Sequence, residues 1–90
     1  MTAEQGQVYI VDDDEAVRKS LQFLFKSVGV AAVGFESGDQ FLNDYDDEWT
    51  GCIVLDIRMP GTRGLEVQKL LKERGSSLPI IFITGHGDVP

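Results

Sequence analysis

Four short apolar runs recur along the chain, and between them the apolar residues switch to helical spacing. This alternation leaves few architectures open. Strands that are apolar at every position must be covered on both faces, and helical crossovers between parallel strands supply that cover. The runs are VYIV (Val8 to Val11), AAVGF (Ala31 to Phe35), CIVL (Cys52 to Leu55) and PIIFIT (Pro79 to Thr84). From Asp14 onward, Val17, Leu21, Leu24, Phe25 and Val28 predict a first helix that Gly29 stops. Ser37 and Gln40 have the spacing of a capping box and open a second, short helix with Phe41, Leu42 and Tyr45 on its inner face. Val67, Leu70 and Leu71 mark a third helix, closed near Gly75. The string β-α-β-α-β-α-β predicts an α/β protein with a parallel sheet, and 90 residues suffice for one small domain. No internal repeat, linker or low-complexity segment interrupts it.

Carboxylates gather at the strand ends. Asp12 and Asp13 follow the first run, Asp56 follows the third, and Thr84 closes the fourth. In a doubly wound sheet, ligands bind outside the carboxyl ends of the strands, where strand order reverses. With the flavodoxin-like order 2-1-3-4, strands one and three are neighbours, and the three carboxylates share a shallow pocket with the Thr84 hydroxyl beside them. A lone charge at the mouth of so apolar a segment is costly unless a cation meets it or the chain surfaces there. Oxygen ligands on a solvent-facing rim suit Mg²⁺, which keeps several of its waters. An acidic pocket with Mg²⁺ suits phosphoryl chemistry, and a carboxylate is able to carry the group as an aspartyl phosphate.

The remaining composition excludes other classes. With 8 Lys+Arg against 15 Asp+Glu the net charge is −7, which argues against nucleic acid or an anionic membrane as a direct partner. The acidic run Asn43 to Trp49 reads as a helix end and a solvated loop, with Trp49 packing the loop before strand three. Cys52, the single cysteine, lies inside an apolar run and reads as a buried structural thiol; a reducing cytoplasm fits. No run approaches the ~18 apolar residues of a membrane span, and no signal peptide is evident. The glycines form no phosphate-cradling pattern, and His86 reads as a loop residue.

VYIVDDD, CIVLDIRMPG and PIIFITGHGD together resemble the receiver domain of a bacterial two-component response regulator. The wording DIRMPG with TGHGDVP is most similar to the FixJ-like subfamily, whose members usually carry a C-terminal helix-turn-helix output domain. The resemblance implies that Asp56 accepts a phosphoryl group from a sensor histidine kinase. It implies that Asp13 binds Mg²⁺ directly, that Asp12 does so largely through water, and that the backbone carbonyl of Arg58 joins them. Thr84 becomes the switch hydroxyl, while Met59, Pro60 and Gly61 shape the loop beside the acceptor. Arg63 departs from the small or acidic residue usual before the glycine at Gly64. A receiver of this family continues to a fifth strand bearing a phosphoryl-contacting lysine, and then to a last helix. Residues 1–90 are therefore expected to be the N-terminal part of a receiver, with an exposed fourth strand available for self-association and poor phosphoryl uptake.

Two other classes compete. A haloacid-dehalogenase-type phosphatase also uses an aspartate nucleophile, but needs a second aspartate where Arg58 stands. A pseudo-receiver would act as an interaction module without phosphorylation.

Overall fold

The computed structural model describes residues 6–59 and 64–83. Its elements run β1 (Gln7–Val11), α1 (Glu15–Ser27), β2 (Ala32–Phe35), α2 (Gly38–Asp44), β3 (Gly51–Asp56), α3 (Gly64–Glu73) and β4 (Ile80–Ile83). The four strands are parallel and lie in the order β2-β1-β3-β4, as the sequence predicts. The winding direction reverses at β1. Right-handed crossovers then place α1 on one face of the sheet and α2 and α3 on the other.

Residue alternation along the strands feeds two cores. On the α2/α3 face, Tyr9, Val11, Phe35, Ile53 and Leu55 of the sheet meet Phe41, Val67 and Leu71 of the helices. On the α1 face, Val8, Ile10 and Val54 meet Leu21 and Phe25. This second core is thinner. Leu24 and Val28, expected on the inner stripe of α1, are 55% and 67% exposed. Val28 lies past the last turn as the C-cap, and α1 is the only helix on this face among the described residues. Leu70 likewise turns outward from α3 while Val67 and Leu71 are fully buried. Cys52 is half-buried against the thinner core, not enclosed as its apolar neighbours suggest.

Local signals set the helix ends. Asp14 caps α1 by accepting from the Ala16 N–H at 2.9 Å. Ser37 caps α2 through the Gln40 N–H at 3.0 Å. The Gln40 side chain reaches back one residue further than the usual box, to the Glu36 N–H at 3.1 Å. Gly29 and Gly75 follow α1 and α3 at φ of +81° and +79°, the left-handed stop that glycine adopts without a Cβ penalty.

Trp49 does more than pack the loop before β3. It stacks on Tyr9 with ring centroids 4.5 Å apart and also faces Phe35, Phe41 and Tyr45. The Tyr9 hydroxyl donates to the Thr50 carbonyl at 3.2 Å, and burial raises its pKa. Arg74 joins α3 to the end of α2, donating to the Leu42 carbonyl at 3.2 Å with its guanidinium 6.0 Å from the Tyr45 ring centroid. These contacts fix the end of the sheet away from the carboxylates.

β4 pairs only with β3 and is an edge among the described residues. Ile81 is 54% exposed on it, whereas Ile80 and Phe82 pack partly against the larger core.

Candidate functional site

β1 and β3 are hydrogen-bonded neighbours, with Val11 opposite Leu55. The next residue on each strand is an aspartate, so pairing alone brings Asp12 beside Asp56. Strand alternation adds direction: Asp12 continues the row of Val8 and Ile10, and Asp56 the row of Cys52 and Val54. Carboxylate oxygens of Asp12, Asp13 and Asp56 all lie within 4.8 Å of one another.

Asp12 and Asp56 are 0% exposed, and Asp13 is exposed. Of the three carboxylates in the shared pocket, Asp13 is the one that faces solvent. Asp12 and Asp56 each stabilise their own turn. Asp12 Oδ1 accepts from the Asp14 N–H at 2.9 Å, and Asp56 Oδ1 accepts from the Arg58 N–H at 2.9 Å. The main chain is tied as well, by the Asp12 N–H to the Phe35 carbonyl at 3.1 Å and the Ile57 N–H to the Ile83 carbonyl at 3.2 Å. Both turns are therefore braced against neighbouring strands.

The donor set consists of hard carboxylate oxygens from two adjacent strand ends. That set fits a small divalent cation such as Mg²⁺, which prefers oxygen ligands and needs few of them from protein. Soft-metal chemistry has no ligands in this cluster.

Around the acidic group, Met59 is buried in the larger core and anchors the chain just past Arg58. Pro60 and Gly61, expected in the same loop, lie outside the described residues, as do Thr84, Arg63 and His86. Gly64 enters the sequence reading only as the glycine after Arg63, with no role assigned to it. It opens α3 against the backbone at the end of β3: a Cβ there would fall 2.6 Å from the Asp56 carbonyl oxygen and 2.7 Å from Ile57 Cα. Arg18 was also missed; its guanidinium donates to the Asp12 carbonyl at 2.8 Å.

A parallel sheet wound this way, with acidic residues closing its two central strands, is the frame of a response regulator receiver. The chain belongs to the response regulator receiver domain family, whose model matches residues 8–90. Among its relatives, the response regulator protein TodT of Pseudomonas putida is 48% identical over 90 residues, covering 100% of this chain and 40% of TodT. The transcriptional regulatory protein FixJ of Bradyrhizobium diazoefficiens is 44% identical over 86 residues, covering 96% of this chain and 42% of FixJ. The solved structure of the response regulator StyR superposes with a TM-score of 0.87 at 43% identity, over 96% of this chain and 43% of StyR. The chain thus spans about 40% of the length of TodT.

Proposed function

We propose that this segment is a phosphorylation-dependent signal receiver in which Asp56 takes a phosphoryl group from a histidine kinase. The observation that carries the reading is the convergence of three carboxylates within 4.8 Å at the ends of the two central strands. Asp56 is the member on β3, braced by the Arg58 N–H on one oxygen. Its carboxylate attacks phosphorus as the bond to the donor's histidine nitrogen breaks, leaving an acyl phosphate. Asp12, Asp13, Asp56 and the Arg58 carbonyl are the groups proposed to hold Mg²⁺. When bound, the metal offsets negative charge on the transferring group. Asp13 supplies the exposed edge of the site, while buried Asp12 sits behind it.

In the same reading Thr84 is the switch hydroxyl and Met59, Pro60 and Gly61 shape the wall beside the acceptor. The segment is an acceptor rather than an enzyme. Residues 1–90 form the N-terminal part of a cytoplasmic receiver that controls transcription through a helix-turn-helix output domain. No helix among the described residues is long and apolar enough to cross a membrane.

The test is incubation with acetyl phosphate and Mg²⁺ followed by intact mass measurement. One added phosphoryl group on the full-length protein is expected, and none when the metal is chelated before the donor is added. No uptake in the full-length protein under any metal condition would leave an interaction module instead.

Metal binding has its own expected result. Asp13→Ala weakens Mg²⁺ or Mn²⁺ binding more than Asp12→Ala does, because Asp13 is the directly ligating carboxylate and Asp12 acts largely through water. Calorimetric titration measures both. Equal losses would contradict that ordering.

Self-association through β4 belongs to the same proposal, since an edge strand presents open backbone groups to another chain. Light scattering coupled to size exclusion should show mass rising with concentration. A monomer at every concentration removes it.

A further inference from the structure

We infer that Arg18 is a positioning residue for the divalent-cation site, acting through the Asp12–Asp13 peptide unit. The inference rests on the metal reading proposed above.

The turn after β1 has to aim two consecutive side chains at one point. Its flanks are held by the Asp12 N–H to the Phe35 carbonyl at 3.1 Å and by the Asp14 N–H to Asp12 Oδ1 at 2.9 Å. Between those two bonds lies the peptide plane joining Asp12 to Asp13. Arg18, on the first turn of α1, donates from its guanidinium to the carbonyl of that plane at 2.8 Å. Rotation of the plane would swing Asp13, the exposed member of the cluster, away from Asp12 and Asp56.

The arginine is itself held in place. It is half-buried, and its stem lies across Gly34 of β2, where a Cβ would come within 3.2 Å of Arg18 Cδ. Gly34 pairs in register with Ile10, so this seat belongs to the same sheet that carries Asp12. Helix α1, strand β2 and the acidic turn are thus joined by one side chain. A planar guanidinium suits the task, its donors being fixed in a directional fork.

Two physical effects oppose each other here, and their signs separate the roles. A positive charge near the cluster repels a cation, so if Arg18 acted only through its charge, removing it would tighten metal binding. If Arg18 orients the turn, removing it loosens binding, as loss of a group that orients a metal ligand commonly does by ~10-fold or more.

The experiment is calorimetric titration of Mn²⁺ into the chain and into Arg18→Met, Arg18→Lys, Gly34→Val and Asp13→Asn. Arg18→Met is expected to weaken binding ~10-fold, with Arg18→Lys recovering part of the loss. Gly34→Val keeps the charge but displaces the stem, and should weaken binding in the same direction even if Arg18→Met fails to fold. Unchanged or tighter binding in Arg18→Met, or unchanged binding in Gly34→Val, overturns the positioning role. If the unaltered chain binds no Mn²⁺, or Asp13→Asn binds it equally well, the metal reading itself fails and this role falls with it.

Discussion

Replacing Asp56 by asparagine is expected to reduce phosphoryl uptake in the full-length protein by ~10³-fold or more, the scale on which losing a covalent nucleophile acts. Asparagine keeps the shape and one oxygen acceptor, so the bond from the Arg58 N–H survives. What is lost is the anionic oxygen proposed to attack phosphorus. One negative charge also leaves a cluster in which two of three carboxylates are fully buried. Like charges so close oppose one another, so the folded chain should be at least as stable without metal as before. Thermal unfolding and acetyl phosphate labelling, run side by side, separate the two effects. Labelling at the unaltered level would refute the acceptor assignment, and a collapsed melting transition would show that Asp56 holds the fold rather than the phosphoryl group.

Gly64→Ala is the second substitution with a large expected effect. The methyl carbon it adds would lie 2.6 Å from the Asp56 carbonyl oxygen and 2.7 Å from Ile57 Cα. Both neighbours are backbone, and the Asp56 turn is already tied to β4 through the Ile57 N–H. Neither can rotate away. Alanine gains at most ~1 kcal/mol of helix propensity over glycine. Forced overpacking typically loses ~1–3 kcal/mol, and contact with rigid backbone belongs at the upper end, so a net loss of about 2 kcal/mol is expected. The displaced atoms are those of Asp56, the proposed acceptor, so phosphoryl uptake should fall even where the fold survives at low temperature. Denaturant unfolding and uptake at 10 °C check the two halves. A variant as stable and as readily labelled as the original would mean that α3 moves freely against the acceptor turn.

Much of the frame was legible in the residues because the signals are local and periodic. Continuous apolar runs marked the strands, and Asp14, Ser37, Gly29 and Gly75 marked helix ends through bonds to their own neighbours. The meeting of Asp12, Asp13 and Asp56 follows from the adjacency of β1 and β3. What escaped was whatever depends on the far side of a contact. Periodicity assigns Leu24, Val28 and Leu70 to apolar stripes, but whether a stripe is covered depends on which element packs there. Equal aspartates in the sequence became unequal in the fold, since a turn buries Asp12 and exposes Asp13. The resemblance marks a glycine at Gly64, but its reason shows only when the carbonyl of Asp56 is found against it. Arg18 sits in a helix whose pattern is read from its apolar face, so its bond to Asp12 gives no sequence signal.

The central claim is that Asp56 itself carries the phosphoryl group, and chemical trapping tests it most directly. Borohydride reduces an aspartyl phosphate to homoserine and leaves a free carboxylate untouched. After phosphorylation by acetyl phosphate with Mg²⁺, reduction and proteolysis, tandem mass spectrometry of the peptides containing Asp12, Asp13 and Asp56 locates the mark. The account predicts homoserine at position 56 and unmodified aspartate at 12 and 13. Homoserine at Asp12 or Asp13, with Asp56 intact, would contradict it.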